Sequence, residues 1–318
     1  MKTTLYTLFF CLILALGSCK PESPVDPENP SISLAKTDDK PNPLPMPGVP
    51  SALLPIVIAG QPNAPGFVNG PGQVARFNQP LGIFVNLDGS ILVADYANQS
   101  IRKIISNNSV STLVKADDVV LDVAALNNGT VGIITDSEIE FYKNGVFRQP
   151  FYECFHCTLT GIDKDPRGTF FWYTDSESAG LNTIQSYVSS ITENLTTPQP
   201  SKGITNTYSS SISVSSKINK FFTTENGLFT CTQSGSVSEI LPNVPFAGLQ
   251  AVVTNKDNTK LYIADGRDIK LITRCPTCPT LLTKLVSNVD ASGLALSNSE
   301  KVLYFTSAKH HTVSKINL

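Results

Sequence analysis

Five carboxylates in this 318-residue chain stand at matched places: Asp95, Asp136, Asp175, Glu225 and Asp265, with Ser307 in a sixth such place. Each closes a short apolar run, such as Ile91-Leu92-Val93-Ala94, Phe171-Trp172-Tyr173-Thr174 or Leu261-Tyr262-Ile263-Ala264. If the runs are strands set around an axis, the acids make a carboxylate ring of hard oxygens, the donor type that suits Ca2+ or the hydroxyls of a polyhydroxylated ligand. The same residues have a purely local use, because Asp caps a turn by accepting backbone N–H groups. A feature present in every repeat belongs to the repeat, so these acids are expected to serve their own turns. A ligand is then expected at residues that differ between repeats, and Arg76, Tyr96, Arg267, His310 and His311 form that candidate ligand-binding face. No cofactor is expected, and Ca2+ is the one cation the acids would suit.

The cysteines offer a second kind of chemistry. Two Cys-x-x-Cys pairs, Cys154 with Cys157 and Cys275 with Cys278, together have the donors of a four-thiolate zinc site. The first pair lies between repeats and the second within one, and a ring of repeats sends those connections to opposite faces. Two local disulfides are therefore expected, in keeping with an oxidising compartment. Cys275-Pro276-Thr277-Cys278 also has redox spacing, but no helix start is expected there to stabilise a thiolate. Cys231 reads as a buried spacer. His156 and the His310–His311 pair are the only histidines and fall about three repeats apart, too far for one metal.

The elements that must position these residues recur about every 40–50 residues: an apolar strand, a tight turn and a second strand ending in an acid or a hydroxyl. First strands are centred near Ile83, Val123, Ile162, Val214, Val252 and Leu296, and turn chemistry such as Asn127-Asn128-Gly129 or Asp165-Pro166-Arg167-Gly168 follows. No stretch downstream of residue 53 keeps a helical period, so the fold is expected to be all-β. Six repeats of this kind make a six-bladed β-propeller. The last repeat stops after its third strand at 309–317, and an orphan strand at 54–60 precedes the first. That complementary deficit predicts a ring closed by the N-terminal strand completing the last blade, which removes both open sheet edges.

One repeat is especially telling. Ala75-Arg76-Phe77-Asn78, Pro80, Gly82, Asp88-Gly89, Val93-Ala94-Asp95, Asn98 and Ile101-Arg102-Lys103-Ile104 follow in an order that resembles the NHL repeat. The resemblance is close over residues 60–114 and faint elsewhere, and it implies the propeller architecture. Two enzymatic propellers are similar in fold: lactonases with a channel Ca2+ site, and peptidyl-hydroxyglycine lyases with His-bound zinc. Neither site pattern carries over residue by residue, and no nucleophile elbow, His-Glu-x-x-His helix or phosphate loop is present. The leading expectation is a non-catalytic, monomeric binding propeller that recognises a glycan, peptide or protein. The alternative is a divalent-metal-dependent hydrolase or lyase of lactonase-like type. A net charge of −2, with 16% charged residues and no basic stripe, argues against nucleic acid as a partner.

Residues 1–53 stand apart from the repeats. Met1-Lys2 followed by the apolar run Leu5–Leu16 reads as a signal peptide spanning 1–18, and Leu16-Gly17-Ser18-Cys19 has the form of a bacterial lipobox with Cys19 as the acylated residue. Residues 19–53 then form a tether, with nine prolines between 20 and 53. In polyproline form it spans about 100 Å. The propeller is expected at 54–318. Lys20 and Pro21 follow the cysteine in place of an inner-membrane retention signal, so an outer-membrane lipoprotein facing the periplasm or the surface is expected, touching the membrane through its lipid alone. Cys19→Ala is predicted to move the protein from the membrane fraction to the soluble one. Retention in the membrane fraction would show that the anchor lies elsewhere.

Overall fold

A computed structural model describes residues 53–318 apart from 137, 154–156, 179–183, 193–203, 206–207 and 276. After β1 (Ile56–Ala59), blade one holds β2 (Gly70–Pro71), β3 (Pro80–Val85), β4 (Ile91–Asp95), β5 (Ser100–Ile104) and β6 (Ser109–Lys115). Blade two holds β7 (Val120–Ala125), β8 (Val131–Thr135), β9 (Glu138–Lys143) and β10 (Val146–Glu153). Blade three holds β11 (Cys157–Lys164), β12 (Phe171–Ser178), β13 (Ile184–Ile191) and β14 (Ile204–Thr205). Blade four follows with β15 (Ser209–Val214), β16 (Lys220–Thr224), β17 (Leu228–Cys231) and β18 (Val237–Ile240). Blade five has β19 (Leu249–Thr254), β20 (Lys260–Asp265), β21 (Asp268–Thr273) and β22 (Leu281–Val286). Blade six has β23 (Gly293–Leu296), β24 (Val302–Ser307) and β25 (Thr312–Asn317).

These strands make six antiparallel sheets in a ring, a six-bladed β-propeller. The first strands β3, β7, β11, β15, β19 and β23 surround the axis, each touching the next, and β23 touching β3. Second strands are sandwiched between neighbouring blades, which is why they read as unbroken apolar runs: every residue of β4, β8 and β16 is buried. Their alternate side chains go to opposite neighbours. Leu92 and Ala94 pack with Val123, Ala125 and Ile133 of blade two, whereas Ile91 and Val93 pack with Ala295 and Val313 of blade six.

The ring closes through the N-terminal strand. β1 pairs with β25, Ile56 opposite Lys315 and Ala59 opposite Val313, and so supplies the fourth strand of blade six. Ile58 and Ala59 drop into the core shared by blades six and one. Blade one departs from the expected four strands. β2 adds a fifth outside β6, and its Pro71 offers no N–H to a further strand.

Cys275 and Cys278 form a disulfide in the β21–β22 connection, with 5.2 Å between their Cα atoms. The pairing expected for Cys154 and Cys157 lies outside the described residues. Cys231 is a free, buried thiol on β17. No helix among the described residues is long and apolar enough to cross a membrane.

Removing residues 54–60 strips one edge of blade six and uncovers apolar core, whereas residues 20–50 fall in the tether expected from the sequence. The first deletion is predicted to lower the melting temperature far more than the second. Equal melting temperatures would contradict closure by β1.

Candidate functional site

The six first strands enclose an axial channel of about 380 Å3. At this radius there is room for little side chain. In register with Gly82 stand Asp122, Gly161, Ser211, Ala251 and Gly293, small residues apart from Asp122. A Cβ on Gly82 would collide with Asp122, and one on Gly161 would come within 2.9 Å of the Ile212 backbone nitrogen.

Several polar side chains on the first strands fasten the next blade. Asp122 accepts the Val123 N–H at 2.9 Å and, across the junction, the Ile162 N–H at 3.0 Å. Asp163 does the same with Lys164 at 2.8 Å and Val214 at 2.8 Å. Ser213 accepts the Thr254 N–H at 3.1 Å, and from the second strand of blade six the Thr306 hydroxyl donates to the Leu81 carbonyl. Burial pushes the Asp122 carboxyl up to about 7, against both N–H bonds and with the charge of Asp163 adding to the rise. Burial likewise carries Asp163 to about 6. Both line the channel with Thr160, Ser210, Gln250 and the apolar Leu81, Phe84, Leu121 and Leu294. The sequence reading did not single out these two acids. The available signal was an Asp inside an apolar first strand, where a pleated core position tolerates charge only with donors at hand.

The repeated acids lie elsewhere, at or just past the end of the second strands, except Asp175, which lies within β12 opposite Leu159. Asp95 is fully buried and accepts the Asn78 N–H at 2.7 Å, Asn98 Nδ2 at 2.8 Å and Arg102 Nη1 at 2.7 Å. Burial pushes its carboxyl above the usual range, while those three partners favour the charged form. Arg102, also fully buried, lies between the rings of Phe67 and Phe77 and donates to the carbonyls of Val68 and Arg76 and to Asn69. Blade five repeats the scheme: Asp265 accepts the N–H groups of Ala247 and Gly248, and Lys270 Nζ lies 2.5 Å from its Oδ2.

Register corrects the expected ring. Two residues beyond the paired core positions Val93, Ile133, Tyr173, Phe222, Ile263 and Phe305 stand Asp95, Thr135, Asp175, Thr224, Asp265 and Ser307. Asp136 and Glu225 sit one residue further on and are exposed. A one-residue step turns a side chain to the other face of a strand, and threonine does the capping in those blades. Thr135 accepts the Glu138 N–H at 3.2 Å, and Thr224 accepts the Gly227 N–H at 3.1 Å. Ser307 does the same for the His310 N–H at 3.3 Å.

The residues expected to read a ligand fall on one face, where second strands turn into third and blades connect. Arg267 of blade five and His310 of blade six converge on Asp290, at 3.4 and 3.2 Å, and Lys309 joins them at 3.2 Å. Burial opposes charge on Asp290, but the hydrogen bonds of Lys309 and His310 outweigh it and hold its carboxyl below the usual range. Tyr96 is half-buried in a 3-10 turn at Tyr96–Asn98. Arg76 and His311 are turned to structural use: Arg76 Nη1 bonds the carbonyls of Val74 and Ala75, and His311 Nδ1 accepts the Gln79 N–H at 3.1 Å. Among the described residues no three His, Cys, Asp or Glu side chains come together as a metal site.

No protein-family model and no curated protein matches the chain. Solved structures do. An auxiliary nutrient binding protein from Bacteroides thetaiotaomicron superimposes with a TM-score of 0.63 at 11% identity, covering 83% of this chain and 76% of that one. A gluconolactonase from Xanthomonas campestris gives 0.60 at 9% identity over 85% and 99%. Virginiamycin B lyase from Staphylococcus aureus gives 0.56 at 17% identity over 79% and 98%. The likeness is one of fold. Binding proteins and enzymes share it.

Breaking a buried ion pair by deleting one partner costs about 3–5 kcal/mol, whereas exposed substitutions shift stability by less than about 0.5 kcal/mol. Asp95→Ala is therefore predicted to destabilise strongly, and Asp136→Ala and Glu225→Ala hardly at all, in urea unfolding. Equal losses across the three would restore an equivalent role for all the repeated acids.

Proposed function

We propose that the protein is a ligand-binding propeller of NHL-repeat type, held at a bacterial outer membrane by acylated Cys19 and taking a glycan into its axial channel. The observation that carries the reading is the channel wall. Ser210 and Gln250 offer a hydroxyl and an amide beside Leu81, Phe84 and Leu121, and Thr160, whose hydroxyl already bonds Thr174 and Ser209, lines the same wall. A sugar ring needs that mixture, with polar groups for its hydroxyls and apolar surface for its C–H faces. The Asp122 and Asp163 carboxylates each already hold two backbone N–H groups, which suits a preformed wall better than a mobile reactant. The fold neighbour described as an auxiliary nutrient binding protein supports the same reading.

A hydrolase or lyase is the second reading. It is favoured by the carboxyls of Asp122 and Asp163, brought to about 7 and about 6, the range of a general acid or base. Among the described residues no three His, Cys, Asp or Glu side chains come together as a metal site, so this reading rests on the two carboxyls.

Titration calorimetry of the Cys19→Ala protein against a panel of neutral and acidic oligosaccharides tests the proposal. Ser210→Phe narrows the channel and Gln250→Ala removes an exposed amide from its wall. Both are expected to weaken saccharide binding at least tenfold, which is about 1.4 kcal/mol, with melting temperature nearly unchanged. Absence of saccharide binding, together with lactone turnover that Asp163→Asn abolishes, would replace the binding reading with the enzymatic one.

A further inference from the structure

Blades one and five each bury an acid at the end of the second strand against a base on the third: Asp95 with Arg102, Asp265 with Lys270. Blade two breaks the scheme. Val93 pairs with Arg102 on β5, and its counterpart Ile133 pairs with Glu140 on β9. A carboxylate therefore stands where blade one has a guanidinium, and Thr135 stands where blade one has the acid. Glu140 is only 8% exposed, and its Oε2 has no hydrogen-bond partner. A buried carboxylate left in that state is costly unless something positive meets it.

Its surroundings deepen the deficit. Burial first, then the charges of Glu138, Asp117 and Asp118, push the Glu140 carboxyl up to about 7. Asp117 and Asp118 belong to the β6–β7 connection and are exposed, as is Asp136 in the turn before β9. Blade connections and second-to-third turns emerge on one face, so these acids gather on that face and attract positive charge toward it.

We propose that Glu140 is the base of a binding site for an organic monocation, a guanidinium or ammonium group that meets its carboxylate as Arg102 and Lys270 meet Asp95 and Asp265 in blades one and five. Two observations select this class over a divalent metal. The described residues assemble no three-carboxylate ligand set here, and the buried acids of two other blades are met within the chain by a guanidinium and an ammonium. The chemistry is that of an arginine or lysine side chain on a partner polypeptide, or of a free small amine. The site lies on blade two and stands independently of the channel reading, so either can fail alone.

The test uses the Cys19→Ala protein labelled with carbon-13 at the Glu side-chain carboxyls, titrated by NMR at constant ionic strength. The probes are ethylguanidinium, the blocked peptide acetyl-Gly-Arg-Gly-amide, and CaCl2, each against a NaCl control. A cation that prefers the charged carboxylate lowers its midpoint, by about one unit for a tenfold preference. The expected result is a downward, saturable shift of the Glu140 midpoint with ethylguanidinium. The same shift with the peptide assigns the site to a polypeptide partner, and a shift with ethylguanidinium alone assigns it to a small amine. In Glu140→Gln, the amide shifts that ethylguanidinium produces at Ile139 and Phe141 are expected to vanish. A midpoint that none of the organic probes moves, a shift produced by CaCl2 alone, or amide shifts that survive Glu140→Gln would each overturn the proposal.

Discussion

Six strands converging on one axis create the constraint on which this fold depends: backbone donors at the narrowest radius must be satisfied where there is almost no room. The solution is a belt of short polar side chains, each reaching from one blade to a backbone group of the next. Asp122 takes Ile162, Asp163 takes Val214, Ser213 takes Thr254, and Thr306 reaches round to Leu81. Gly82 is part of the same device, because a Cβ there would collide with Asp122. The belt sets the diameter of the channel, and so the size of whatever enters it. It also explains two raised carboxyls without invoking catalysis, since burial at the axis is the first cause of both.

A second device works farther out and gives a physical meaning to the motif by which blade one resembles the NHL repeat. Asp95 and Arg102 form a fully buried pair 2.7 Å apart. Phe77 lies against the guanidinium, Asn98 links Asp95 to the Gly66 carbonyl, and the Asn78 N–H closes the remaining carboxylate oxygen. The motif residues are thus one knot tying residues 66–78 to the blade. Blade five keeps the acid and a base, blade three keeps Asp175 but has Ser189 on the base's side, blades two, four and six have a hydroxyl at the acid position, and blade two also places Glu140 on the base's side. Decay of a shared repeat into unequal blades is where site chemistry arises in this chain.

Much of the architecture was legible because second strands are buried on both faces and leave unbroken apolar runs, and because the missing strand of blade six was matched by the orphan at 54–60. The disulfide of Cys275 and Cys278 was legible from spacing within a single turn. The register of the acids was not. Asp136 and Glu225 follow Thr135 and Thr224, and an apolar run with an acid after it looks the same whether the acid or the threonine occupies the capping place. Strand pairing decides it. Asp122, Asp163 and Glu140 escaped notice for a related reason: their donors, or lack of them, come from neighbouring blades and loops that no local pattern reveals. Arg267 and His310 were marked only as unlike their counterparts, and their convergence on Asp290 needed the fold.

The belt at the axis, rather than the packing of each blade by itself, holds the ring together. Native-state hydrogen exchange at the Ile162 and Val214 amides tests it most directly, because each donates to a carboxylate of the preceding blade. If the belt is the last contact to open, both amides exchange only through global unfolding, with the same free energy as the buried amides of Val93 and Ile263. Exchange of Ile162 and Val214 through local opening, several kcal/mol below that of the second strands, would contradict it.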